Sequence, residues 1–151
     1  MHTYPALVVN CMDPRLQGSN AEAIAWAAGF QPGSWEQLSY AGPSLWLADP
    51  HEASHADSFR WLLEEVSGKV HQVHTVVLVG HSGCGGFKLK HGSMEPVQEK
   101  ATIVASLRSA ADELKRLKSD LNVILVFATI HEYQPEGKLP AITCEVITPT
   151  D

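Results

Sequence analysis

Two thiols and an imidazole stand where they could share one metal ion: Cys11 and, seventy residues further on, His81 followed by Cys84. Sulfur and nitrogen donors of this kind suit zinc in softness and in tetrahedral geometry, and three protein ligands leave a fourth position open for chemistry. Only Ser82 and Gly83 separate His81 from Cys84, a short turn able to aim both side chains at one point. Asp13 and Arg15 follow in the run Cys11-Met-Asp-Pro-Arg15. Such an acid–base pair is either a loop salt bridge, worth about 0–1 kcal/mol when exposed, or a carboxylate held ready beside a reactive centre. Competing readings of the ligands stand beside the metal. A lone Cys after a strand is ordinarily a small buried hydrophobe, and a lone His a surface or capping residue. A thiol redox pair is a weaker fit, since Cys11 and Cys84 do not form a Cys-x-x-Cys arrangement.

Joining Cys11 to His81 requires strands whose ends meet. Residues 6–10 form a short apolar run after Pro5 and read as a buried strand that delivers Cys11 at its C-terminal end. Residues 75–80 contain Val76, Val77, Leu78 and Val79, the clearest strand in the chain, and deliver His81 in the same way. Runs apolar on both faces suit the interior of a parallel sheet, and sites in open α/β sheets form at the carboxyl ends of strands. Residues 36–41, 122–128 and 141–147 are predicted as further strands. Helices are predicted from residue 19 or 20 to 28, over 54–67 with the stripe Phe59, Leu62, Leu63 and Val66, and over 97–118. Residues 44–50, between Gly42-Pro43 and Pro50, read as loop, and so does the polar stretch around Gly92. The alternation predicts one α/β domain over residues 1–151, with a mainly parallel central sheet of four to five strands flanked by helices.

A chain of 151 residues with 44% hydrophobic side chains buries a core without a structural metal, which frees any metal for chemistry. The net charge of −6, with basic residues thinly spread, argues against nucleic acid or an anionic membrane surface as partner and for a small-molecule substrate. No apolar run approaches the roughly 20 residues needed to cross a bilayer, and the first residues carry no signal-peptide pattern. A cytoplasmic location is therefore expected, where the three cysteines stay reduced. His51, His55, His71, His74 and His91 read as solvated, His2 as terminal, and His131 as a proton-shuttle candidate with nothing to place it near the zinc. Cys144 reads as a buried thiol, and Trp26, Trp35, Trp46 and Trp61 as core or dimer-contact residues.

Taken together, Cys-x-Asp-x-Arg at 11, 13 and 15 and His-x-x-Cys-Gly at 81, 84 and 85 resemble the β-class carbonic anhydrases. Val-Gly-His-Ser-Gly-Cys-Gly-Gly at 79–86 is similar to that family's zinc loop. Tyr40-Ala41-Gly42 stands where the family usually carries Arg-Asn-Ala-Gly, and Glu132 to Leu139 is similar to its tyrosine and Thr-Gly-Lys-Leu hairpin segment. The resemblance implies a zinc cofactor on Cys11, His81 and Cys84, with Asp13 and Arg15 as the catalytic dyad beside it. It implies reversible hydration of carbon dioxide to bicarbonate by a zinc-bound hydroxide, in a homodimer or a multiple of dimers. Two thiolates cancel the metal's charge, so the bound water is expected to be less acidic than in a three-histidine site. Tyr40, Gly42 and Gly85 are the substrate-binding candidates; core packing by Tyr40 and turn duty by the glycines are the alternatives. The chain departs from the family pattern at Ser39 and Tyr40, which replace its arginine and asparagine, at Pro14 and Pro43, and in lacking the N-terminal helical extension of fuller members. Those departures keep two other functions open: a zinc hydrolase of carbon disulfide or carbonyl sulfide, and a non-catalytic zinc-binding descendant.

Overall fold

Five strands, β1 (Ala6–Cys11), β2 (Trp35–Tyr40), β3 (Thr75–His81), β4 (Asn122–Ile130) and β5 (Ile142–Ile147), form one sheet in the order β2-β1-β3-β4-β5. The computed structural model describes residues 3–49, 53–131, 135 and 137–148. β2, β1, β3 and β4 run parallel, and β5 is antiparallel to β4. All of β1 is buried, as is β3 from Val76 to His81. This is the burial expected of sheet-interior strands covered on both faces, and it explains their unbroken apolar runs.

The helices are α1 (Ser19–Ala27), α2 (Pro43–Ala48), α3 (Ala53–Trp61), α4 (Gly85–His91) and α5 (Pro96–Leu117). α2 and α5 pack on each other and on β3, while α1 lies over β4 and β5. α5 buries Ile103, Leu107, Ala110, Ala111 and Leu114, the stripe set by its helical period. It comes unusually close to β3. A Cβ on Gly80 would fall 2.4 Å from Ile103 Cγ2, so only glycine fits the strand residue immediately before His81.

Three expectations are corrected. Residues 44–48 are not a loop: Pro43 starts a helix at its first position, where its missing N–H costs nothing, and Trp46 and Leu47 are buried within it; Pro50 lies outside the described residues. The helix predicted over 54–67 starts at Ala53, changes to a π-helix at Leu62 and runs to Val70. That register buries Leu63 and Ser67 and leaves Leu62 and Val66 only half-buried. The stretch after Gly85 is helical as far as His91, where polar loop was expected. Of the tryptophans, Trp46 is buried in the core, while Trp26 and Trp61 are 65% and 61% exposed. His71 is not simply solvated, since it pairs with Glu36 at 3.0 Å and meets the Tyr4 ring edge-on. His2, His51 and Glu132 to Gln134 lie outside the described residues.

Candidate metal centre

β1 and β3 are adjacent and parallel, paired from Ala6↔Thr75 to Val9↔Leu78. Their carboxyl ends therefore meet at one edge of the sheet, and Cys11 and His81 are the last residues of the two strands. Gly83 turns the chain after β3 with φ of +66°, a left-handed conformation that suits glycine. Cys84 follows as the N-cap of α4. The turn is pinned to β4, where Ser82 N–H donates to Ala128 O at 3.0 Å and Ile130 N–H donates to Ser82 Oγ at 2.8 Å. As a result, ligand atoms of Cys11, His81 and Cys84 all lie within 4.8 Å of one another. The three residues are 4%, 1% and 2% exposed.

The imidazole is set for ligation. Its Nδ1 lies 2.9 Å from Ser82 O; a carbonyl can only accept, so Nδ1 carries the proton and Nε2 the lone pair. That Nε2 is buried and has no hydrogen-bond partner. Around the sulfurs, backbone N–H groups converge: Gly42 donates to Cys11, and Gly86 and Phe87 donate to Cys84. The Cys84 thiol donates to the Cys11 sulfur and, against the opposing effect of burial, brings Cys11 down from 9.0 to about 4. The same hydrogen bond, reinforced by burial, pushes Cys84 up. Two sulfurs and an imidazole nitrogen without a hydrogen-bond partner make a donor set that fits a zinc-like ion.

Asp13 and Arg15 flank this cluster. Asp13 Oδ1 caps the 3₁₀ turn Pro14–Leu16 by accepting Arg15 N–H at 2.9 Å. Arg15 returns a bidentate pair, Nε to Oδ1 at 2.9 Å and Nη2 to Oδ2 at 2.6 Å, and Nη2 also reaches Gly83 O at 3.1 Å. Burial works to raise the Asp13 carboxyl, but the hydrogen bonds from Arg15 outweigh it and hold the group below its ordinary value. Pro14, unusual for the resembled motif, fits as the opening residue of that turn.

Sequence reasoning missed Asn10. Fully buried, it accepts Cys11 N–H on Oδ1 at 2.8 Å and donates from Nδ2 to Leu16 O at 2.9 Å, tying the Cys11–Leu16 loop to β1. A polar residue ending an otherwise apolar strand was the available signal. Asn20 adds a second tie, donating to Arg15 O and Pro140 O.

The substrate-binding candidates divide. Gly42, with φ of +56°, turns the chain so that its N–H meets Cys11. Tyr40 packs its ring 4.9 Å from Trp46, which in turn meets Phe59, and its carbonyl accepts Met12 N–H at 2.8 Å. Its ring thus has the core-packing role. Gly85 is exposed, with open space where a Cβ would stand. The close approach belongs to Gly86, whose Cβ would lie 3.4 Å from the backbone of Ala41 and Gly42. His131 is engaged by Thr143 at 2.6 Å, and Cys144 is a half-buried thiol raised by burial.

Solved structures share this architecture. Two solved structures are similar at 15% identity. One, from work on two tetrameric β-carbonic anhydrases of the filamentous ascomycete Sordaria macrospora, has a TM-score of 0.55 over 85% of this chain and 77% of its own. The other, the β-carbonic anhydrase CafA of the fungal pathogen Aspergillus fumigatus, has a TM-score of 0.52 over 99% of this chain and 78% of its own. These likenesses establish the fold as that of β-carbonic anhydrases. No curated protein sequence matches the chain significantly. A family model described as "Putative carbonic anhydrase" matches residues 1–136, a span that contains Cys11, Asp13, Arg15, His81 and Cys84; the chain belongs to that carbonic anhydrase family.

Proposed function

We propose that the protein interconverts carbon dioxide and bicarbonate, with zinc held by Cys11, His81 and Cys84 as its resident cofactor. The observation that carries this reading is His81 Nε2, a buried lone pair with no partner beside two buried sulfurs. Left unsatisfied, such an atom costs about 1–3 kcal/mol, and a metal ion is the partner that two sulfurs and an imidazole nitrogen have in common. Bound there, zinc supplies a water acidified enough to act as nucleophile near neutral pH.

The remaining tasks fall to the chain. The N–H groups of Gly42, Gly86 and Phe87 favour negative charge on the two sulfurs, partly offsetting burial and their mutual repulsion. Asp13 stays ionised and is an acceptor for the water's hydrogen, orienting its lone pair towards the carbon of the substrate. Arg15 grips both Asp13 oxygens and so keeps the carboxylate from becoming a fourth ligand. The proton released passes to buffer. Gly83 and Gly85 are exposed beside the ligands, which leaves that edge of the site open to solvent.

We further read the working unit as a homodimer or multiple of dimers. The 65% and 61% exposed Trp26 and Trp61 support this, as apolar surface suited to a subunit contact. No helix among the described residues is long and apolar enough to cross a membrane, and we propose a cytoplasmic site of action on the three free cysteines.

Stopped-flow hydration of carbon dioxide on zinc-loaded protein, scanned from about pH 6.5 to 9, tests the reading. Turnover that rises with pH and disappears in Cys84→Ser is the expected result. Fully loaded protein without turnover would overturn the anhydrase reading, and turnover confined to carbon disulfide or carbonyl sulfide would move the substrate.

A further inference from the structure

We infer that Glu99 is a positioning residue for the metal loop, acting through Gly83. The inference rests on the metal reading of Cys11, His81 and Cys84. Gly83 lies between two of those ligands, and as a glycine at φ +66° it has the greatest torsional freedom in the turn. Both of its peptide groups are pinned, each by a different side chain. Gly83 N–H donates to Glu99 Oε2 at 3.0 Å, and Gly83 O accepts from Arg15 Nη2 at 3.1 Å. The two bonds fix the two peptide planes that meet at Gly83, and so together its φ and ψ. Those two torsions set how Cys84 stands relative to His81.

The anchor is rigid at its far end. Glu99 lies in the first turn of α5, with its own N–H bonded to Glu95 O at 2.8 Å. α5 is fixed to β3 by the Gly80–Ile103 contact, so one helix braces both His81, through its strand, and Cys84, through its loop. Because Arg15 also grips Asp13, the chain of contacts Glu99–Gly83–Arg15–Asp13 couples the loop to the catalytic carboxylate. Glu99 faces a shallow depression of about 320 Å³ lined also by Lys88, Gly92, Ser93 and Met94. A substitution there removes little packing and isolates the lost hydrogen bond.

A different role would give a different pattern. An acidic residue in a helix's first turn also complements the helix dipole, and that role depends on charge. Positioning depends on an acceptor oxygen, which Glu99→Gln keeps. Wild type, Glu99→Ala and Glu99→Gln are titrated with Co2+ against a competing chelator, with the visible d–d spectrum recorded and the thermal midpoint of each metal-free protein measured. The expected result is Co2+ affinity weakened about 3- to 10-fold in Glu99→Ala, with an altered spectrum, and within about 2-fold of wild type in Glu99→Gln, the scale of one solvent-exposed hydrogen bond. The metal-free midpoints should agree. Unchanged affinity and spectrum in Glu99→Ala, or equal loss in both variants, would overturn the positioning role while leaving the metal site standing. Wild-type protein that takes up no Co2+ would overturn the metal reading and this inference with it.

Discussion

Replacing Gly80 by alanine should destabilise the fold by about 2 kcal/mol, working from typical overpacking costs. The added Cβ would stand 2.4 Å from Ile103 Cγ2 and 3.1 Å from Leu107 Cδ1. Carbon atoms are comfortable at about 3.5–4.0 Å, so the first contact must open by about 1 Å. Ile103 and Leu107 are both fully buried. Ile103 is β-branched within a helix and has essentially one rotamer, which leaves α5 itself to lift from β3. Overpacking costs about 1–3 kcal/mol, and a contact this short with no free rotamer sits at the upper end; the roughly 0.5–1 kcal/mol gained when glycine's freedom in a strand is removed leaves about 2 kcal/mol. Urea denaturation should show a lower midpoint with an unchanged slope, and heating a midpoint lower by about 4–8 °C. Ile103→Ala alone should cost about 2–5 kcal/mol. The double variant should be less damaged than the sum by about 1–2 kcal/mol, because the new methyl occupies part of the space vacated. Wild-type stability in Gly80→Ala, or strict additivity in the double variant, would refute the tight α5–β3 contact.

Asn10→Ala should cost about 2–4 kcal/mol in urea denaturation, since Cys11 N–H and Leu16 C=O would be left buried and unpaired. Zinc binding near pH 7 should release about one proton per site, that of Cys84, because Cys11 titrates at about 4 and is already a thiolate; calorimetry in buffers of different ionisation enthalpy counts it. The Asp13 carboxyl, held below its unfolded value of 3.8, contributes stability that is present above that pH and lost as pH falls through the folded value. In Arg15→Ala the hydrogen bonds go while burial stays, so the variant should lose about 1–2 kcal/mol at pH 7. The gap from wild type should narrow on acidification, as denaturation at pH 3.5 and pH 7 would measure.

The strands that carry the ligands were legible because their signal is local. β1 and β3 are buried on both faces, which forces continuous apolar runs, and Cys11 and His81 stand just past those runs. The direction of β5 was not legible, since an edge strand's own residues do not record which way its neighbour runs. α2 is too short for a helical period to declare itself, and only Pro43 at its first position marks it. α4 opens on Gly85-Gly86, poor helix formers whose presence is explained by the contact Gly86 makes with Ala41 and Gly42. Propensity argued for loop there and packing overrode it. The π-helical register after Leu62 has no pattern of its own, because the apolar residues serve an α or a π spacing equally until Ser67 is seen to be buried. Asn10 and Glu99 act on backbone groups far along the chain or across a turn, and a partner of that kind leaves no trace in spacing.

On the metal reading of Cys11, His81 and Cys84, the β1–β3 pairing has a bearing on how the protein would acquire its metal. The unfolded chain offers only the nearby His81 and Cys84, whereas the third ligand arrives once two strands seventy residues apart in sequence have zipped in register. A slip of one residue would turn Cys11 to the opposite face of the sheet. Ions that bind the folded form alone add their binding energy to its stability, so metal here rewards the finished sheet in its correct register. It cannot nucleate the fold, as it does in zinc modules whose ligands are all close in sequence. On that reading metal uptake would double as a final inspection of strand pairing, and chains mispaired at β1 would go without.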